Sequence, residues 1–256
     1  MANVIRSAKS SSKWTPNELI AFNITISTLS PDQFFPTPDP SLDYIDPAIL
    51  SSPDPDITLS NAAFSFLTHL DLATRTTKKN FVDLFVTRTL QLLGFEALIC
   101  ELFAIPLTIC GKAVRATRSD VCLAPNPVTL LMVVVWDTEP ANADAQVIAQ
   151  AIGVFQFNNE KRKEAKLDPL DTMIIPCVHF FRTRPTFYLV PVTMELSEAV
   201  ISGQYPNHTT RVLRCMTVAE HEDVGMENIK YRKVALKRLL AFKEVAKSHW
   251  VHILGR

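Results

Sequence analysis

A chain of 256 residues with 47% hydrophobic side chains can bury a sizeable core and is expected to fold, not to stay disordered. Its 26 basic and 26 acidic side chains cancel, so no global basic field gathers phosphates and the simplest argument for a nucleic-acid partner is absent. Six glycines argue against a phosphate-cradling loop, and no P-loop, GxGxxG, GxSxG or HExxH motif occurs, which leaves nucleotide-binding, serine-hydrolase and zincin classes without support.

The opening segment, MANVIRSAKSSSKW, lacks the apolar run of a signal peptide, and LLMVVVW is too short to span a bilayer. An intracellular protein, cytoplasmic or nuclear and not membrane-bound, is the expectation. The five cysteines, Cys100, Cys110, Cys122, Cys177 and Cys215, are scattered through apolar stretches with no CxxC pair. They read as buried thiols, not as a zinc site or a disulfide framework.

Residues 1–60 carry repeated proline and Asp-Pro steps and an excess of acid, Asp39 and Asp43 among them. Proline removes a backbone donor and restricts its predecessor. The segment is therefore read as an irregular acidic arm wrapped on the domain of residues 61–256 through Trp14, Leu19, Phe22, Phe34, Phe35 and Tyr44. Helical spacing of apolar residues predicts a helix over 59–74 and another over 79–93, stopped by Gly94. Strands follow in EALICELFAI, PLTICGKAVRATRSDVCLA and TLLMVVVWDT, with a hairpin turn at Gly111-Lys112. Next comes an amphipathic helix over 144–165 with Val147, Ile148, Ala151, Ile152 and Phe155 on one face. Two further strands, TMIIPCVHFF and TFYLVPVT, a short helix over 194–201, a strand at RVLRCMTV and a long helix over 226–254 complete the chain. The fold class is α/β (α+β), one mixed central sheet flanked by helices.

One acid, Asp120, sits inside the second of these strands, and Trp136-Asp137-Thr138 closes the third. This order of helix, glycine, hairpin, strand with aspartate, apolar strand and helix resembles the restriction-endonuclease-like, PD-(D/E)XK, superfamily. Within it, the chain is similar to a group of basidiomycete proteins. The matching stretches are Asp120-Val-Cys-Leu123, Leu130 through Thr138, AQVIAQAIGVFQFNN, RPTFYLVPVT and ISGQYP. They span about Leu92 to Trp250 and leave the acidic arm outside.

The resemblance implies a nuclease core in which one strand supplies an aspartate and the next supplies Glu-x-Lys. The two carboxylates hold Mg²⁺, which takes hard oxygen ligands, and the lysine orients the attacking water. Here Trp136 stands at the place of the glutamate and Thr138 at that of the lysine. Asp137 fills the intervening position and by alternation is expected on the other side of the sheet. An indole offers no oxygen ligand, and one aspartate makes a poor Mg²⁺ site, so the motif reads as disabled. Acids relocated to Asp83, Glu101 or Glu139, with Lys112 as the base, would restore one. Gln146 matches the family's helix glutamine, and Gln150 lies one turn on.

The last helix carries Lys230, Lys233, Lys237 and Arg238 on its polar face. That face is a solvated exterior, a surface for nucleic acid or an acidic partner, or the holder of the chain's own acidic arm. Three functions therefore stand. The first is a pseudonuclease that binds DNA or RNA or serves as a scaffold and needs no cofactor. The second is a Mg²⁺-dependent nuclease using relocated acids. The third is a protein-interaction module with no nucleic-acid role.

Overall fold

One mixed sheet of seven strands organises the chain in a computed structural model that describes residues 8–75, 79–95, 98–124, 129–130, 132–137, 142–217 and 224–254. Within these, the side chains of residues 79, 98, 100–104, 114–120, 133, 136–137 and 251–254 are not described. The strands are β1 (Ile24–Thr28), β2 (Leu98–Ile109), β3 (Lys112–Ala124), β4 (Met132–Asp137), β5 (Thr172–Phe181), β6 (Arg184–Thr193) and β7 (Thr210–Met216). They lie in the order β1-β7-β6-β5-β4-β3-β2. The helices are α1 (Pro16–Ala21), α2 (Pro31–Phe34), α3 (Pro47–Ser51), α4 (Asn61–Arg75), α5 (Lys79–Leu92), α6 (Ala143–Glu164), α7 (Met194–Ser202) and α8 (Ile229–Leu254).

Helix α5 ends as the glycine predicted: Gly94 has φ +67°, its N–H donates to Gln91 O at 2.9 Å, and Phe95 N–H donates to Leu90 O at 3.0 Å. Strands β2, β3 and β4 then form an antiparallel meander. The β2–β3 turn falls at Cys110-Gly111, one residue earlier than expected. Both residues have positive φ, 49° and 71°, and Ile109 faces Lys112, which suits the right-handed twist of the strands. The expected break at Pro106 is instead a register shift between Ala104 and Pro106, where β3 carries the extra residue, so β2 runs unbroken through its proline opposite a bulge in its partner. Helix α6 carries the chain back across the sheet, and β5 pairs parallel to β4. A hairpin returns as β6, antiparallel to both β5 and β7.

Strand alternation divides the interior into two cores. On one side, Val121, Leu123, Val134, Val178 and Phe187 pack with α4, α5 and α8. On the other, Cys122, Val135, Cys177 and Val190 pack under α6. The expectation of an amphipathic α6 is corrected here: Val147, Ala149, Ile152, Val154 and Phe155 are all buried, so apolar residues cover its whole circumference. The N-terminal segment is the reason, since Trp14, Leu19 and Phe22 join the same core. Gly153 lets α6 approach β2 closely at Ile105 and Pro106. A Cβ there would lie 3.0 Å from Ile105 Cγ2 and 3.2 Å from the Pro106 carbonyl.

The arm is more regular than its prolines suggested. Its three short helices each begin with proline at the first helical position, where a missing N–H costs nothing. Thr15 with Glu18 and Ser30 with Gln33 form capping boxes, and Asp46 accepts from Ala48 N–H at 2.9 Å. Strand β1 joins the sheet edge parallel to β7. Phe35 packs edge-on to Phe187 at 5.4 Å and Phe34 stacks on Phe242 at 6.4 Å. Tyr44 is 57% exposed and anchors nothing.

Helix α8 holds the arm. Arg232 is fully buried and donates to the carbonyls of Met226 (2.7 Å), Ile49 (2.9 Å) and Ser52 (2.8 Å). Lys237 pairs with Asp39 at 2.8 Å, and Arg238 donates to the Pro38 carbonyl. Replacing Arg232 by methionine strands three carbonyls, each costing about 1–3 kcal/mol when buried and unpaired. We expect a loss of roughly 3 kcal/mol or more in urea unfolding with an unchanged m-value; a loss below about 1 kcal/mol would remove Arg232 as the staple of the arm.

Candidate functional site

Thr138 and Glu139 lie outside the described residues, and the side chains of Asp120, Glu101, Trp136 and Asp137 are not described. Their strands are placed by backbone register. Val121 faces Val134 across β3 and β4, and across β4 and β5 Val135 faces His179, Trp136 faces Phe180 and Asp137 faces Phe181. The two other residues proposed for relocation stay apart from β3's acid. Lys112 is exposed at the hairpin end of β3, eight residues from Asp120, a separation of roughly 26 Å at about 3.3 Å per residue. Asp83 is buried on α5, whose neighbouring Val82, Phe85 and Val86 belong to the core on the α8 side of the sheet. Among the described residues, no group of three His, Cys, Asp or Glu side chains converges.

What the structure does assemble is a cleft of about 320 Å³ at the carboxyl ends of β5 and β7. Every second residue of three strands contributes: His179 and Phe181 from β5, Thr186 and Tyr188 from β6, Arg214 and Met216 from β7. Ala143 and Asp144, in the first turn of α6, form a wall. The α6 side of the sheet faces this cleft, as Cys177 and Val190 on the same strands pack under that helix.

Asp144 is the hub. Tyr188 donates its hydroxyl to Asp144 Oδ1 at 2.7 Å, and Arg214 donates from one terminal nitrogen to Oδ2 at 2.7 Å. Arg214 also donates to Thr28 Oγ1, at 3.2 Å from Nε and 2.8 Å from its other terminal nitrogen, which ties β1 into the network. Burial, and then the Asp144 carboxylate beside it, push the Tyr188 phenol well above the ordinary tyrosine range. It is a fixed neutral donor. Arg184 lies over the Phe181 ring, 4.8 Å from its centroid, and His179 is 3% exposed. The phenol's one proton is committed to Asp144 and stays on oxygen through the neutral range, so Tyr188 positions the carboxylate and is no proton-transfer group there.

Gln146 is half-buried near the start of α6. One turn on, Gln150 is 1% exposed, and both its amide atoms lack a hydrogen-bond partner among the described residues. Of the basic residues of α8, Lys237 and Arg238 are engaged by the arm, while Lys230 and Lys233 are exposed; the helix packs on the face of the sheet opposite the cleft. Cys110, Cys122, Cys177 and Cys215 are free thiols, and burial pushes Cys215 up to about 11, which keeps it unreactive near neutral pH. Reading the sequence singled out none of Asp144, Tyr188 and Arg214. They come from three separate segments, and the only local signal was a polar residue at alternating positions near the strand ends.

Comparison with known proteins adds no assignment: no family model matches the chain, and no curated protein matches it. Among the described residues, no helix is long and apolar enough to cross a membrane.

Tyr188→Phe should cost about 1.5–3 kcal/mol, the size of a hydrogen bond to a charged acceptor. Because folding raises this pKa, Tyr188's contribution is whole below the free-tyrosine value of about 10 and is lost as pH rises above it. Urea unfolding from neutral pH to the alkaline range should show a shallower fall in the variant. Parallel curves for the two proteins would contradict the buried-phenol assignment.

Proposed function

We propose that the chain is a restriction-endonuclease-like protein that acts inside the cell as a non-cleaving, nucleic-acid-binding or scaffold module. One observation carries this reading. The run α5–β2–β3–β4–α6–β5, an antiparallel meander followed by a helical crossover into a parallel strand, has the connectivity expected of that core, in the stretch where the sequence resemblance lies. In the sequence resemblance Trp136 and Thr138 stand at the places of the family's glutamate and lysine, and neither residue type supplies the second carboxylate that a divalent metal needs.

A specific observation favours a second reading, an active nuclease. Val135 shares the core of Cys122 and Ala124, whereas Val134 shares that of Val121 and Leu123. Asp137 follows Val135 by two residues and Asp120 precedes Cys122 by two, so these two acids are the pair to test together. With both carboxylates as ligands, Mg²⁺ would polarise a phosphate oxygen and activate water.

Two assays decide. Binding of DNA and RNA oligonucleotides should weaken steeply as salt rises, because phosphate contacts release counterions, and a plasmid should survive incubation with Mg²⁺ or Mn²⁺. Cleavage that disappears in both Asp120→Ala and Asp137→Ala would replace the non-cleaving reading with the active one. No binding, or binding indifferent to salt, would overturn both in favour of a protein-interaction module.

A further inference from the structure

We infer that the cleft between α6 and the carboxyl ends of β5 and β7 is a subsite for one nucleoside monophosphate unit, either a free nucleotide or the phosphate-bearing end of a strand. The strand-end form rests on the proposed function; the nucleotide form does not. Size comes first. A volume of about 320 Å³ lies at the low end of small-molecule pockets, about 300–1,000 Å³, which suits a single nucleotide and excludes a duplex.

Charge comes second. The described lining holds two arginines, Arg184 and Arg214, against one carboxylate, Asp144, and both oxygens of that carboxylate already accept hydrogen bonds from Tyr188 and Arg214. The balance favours an anion. Two further features supply donors. Thr217 lines the cleft, and its Oγ1 is buried with no hydrogen-bond partner among the described residues. The 22-residue helix α6 opens on the cleft at Ala143, and its N-cap, Asn142, makes no side-chain cap hydrogen bond, so the positive end of the helix faces a bound phosphate with no side-chain cap from Asn142 in between. Asp144 in that turn offsets part of this field, and Arg214 neutralises it.

The apolar part of the lining selects more than a bare phosphate. Phe181, Pro185 and Met216 form a ledge, with Met216 47% exposed, against which a base can stack at about 1–3 kcal/mol. Position comes last. His179 faces Val135 across the β5–β4 pair, and Asp120 continues β3 one strand further, about 10 Å away at two inter-strand steps. A strand ending in the cleft would run over β4 towards β3.

The test is calorimetric titration of the full chain with dAMP, inorganic phosphate and deoxyadenosine at fixed pH and salt. We expect dAMP to bind at least tenfold more tightly than either fragment. Arg184→Ala should weaken it tenfold or more with an unchanged melting temperature, and Arg184→Lys should recover part of the loss. Equal affinity for dAMP and inorganic phosphate would reduce the cleft to a simple anion site and overturn the inference, as would no dAMP binding. If Arg184→Ala lowers the melting temperature, Thr217→Val serves instead, and unaltered dAMP affinity in a variant that melts like the parent counts against the cleft. A second arm compares oligonucleotides with and without a terminal phosphate. Nucleotide binding without oligonucleotide binding would leave the cleft standing and remove the nucleic-acid reading. Salt-dependent oligonucleotide binding that Arg184→Ala and Thr217→Val leave unchanged would do the reverse.

Discussion

The rest of the fold depends on burying α6 on every side. A 22-residue helix with apolar residues around its whole circumference is stable in water only if something covers the side turned away from the sheet. Here that cover is the N-terminal segment, with Trp14 stacked on Phe22 at 5.6 Å and Leu19 beside them in one core. The cover is itself short and proline-rich, so it holds its shape by capping: Glu18 accepts from Thr15 N–H and Oγ1 at 2.7 Å each. Burial alone would raise the Glu18 pKa, but these hydrogen bonds and Lys9 outweigh it and leave the carboxyl below its ordinary value. Sheet, helix and arm thus form one layered unit in which no layer is optional.

The same constraint explains where α6 keeps its polar side chains. Apart from its exposed last turn and Gln150, unpartnered among the described residues, most of them serve neighbouring groups, at its two ends and along one sheet edge. Gln156 accepts from Thr108 N–H at 2.8 Å and donates to its carbonyl at 3.2 Å, which blunts edge strand β2. Asn158 pairs in the same way with Leu130, at 2.8 Å in each direction, and Asn159 with Leu170. Asp144 plays this part at the other end, except that its partners are side chains, Tyr188 and Arg214. The cleft is therefore what remains where α6 begins and the sheet carries on past it.

Much of the fold was legible because it follows from periodicity. Alternation along TMIIPCVHFF and TFYLVPVT, helical spacing before Gly94 and the glycine at the β2–β3 turn each reflect a local rule, and each element appears close to where it was expected. The failures share a different cause. Pro106 sits in a strand because a bulge is a pairwise property of two strands, and β1 is a strand because β7, almost two hundred residues later, offers it an edge. The misreading of α6 arose because amphipathicity was inferred from its partners in sequence, while its burial is set by Trp14 and Phe22. The cleft was illegible for the same reason: Asp144, Tyr188 and Arg214 mean little until three distant segments meet.

Zero net charge removed the simplest argument for a nucleic-acid partner, but a whole-chain sum says nothing of how charge is distributed. Part of the arm's acid and of α8's base meets face to face, through Asp39 with Lys237, and other bases of α8 hold backbone carbonyls, as with Arg232 and Arg238. Those contacts lie on the face of the sheet where α8 packs. The cleft lies on the other face, under the start of α6, and its own count is two arginines to one aspartate. Coulomb interactions weaken over a Debye length of about 8–10 Å at physiological salt, so a ligand in the cleft responds to that local count far more than to the sum over the chain. Charge neutrality of the whole and a local excess of arginine over acid in the described cleft lining are compatible because the arm–α8 contacts and the cleft lie on different faces of the sheet.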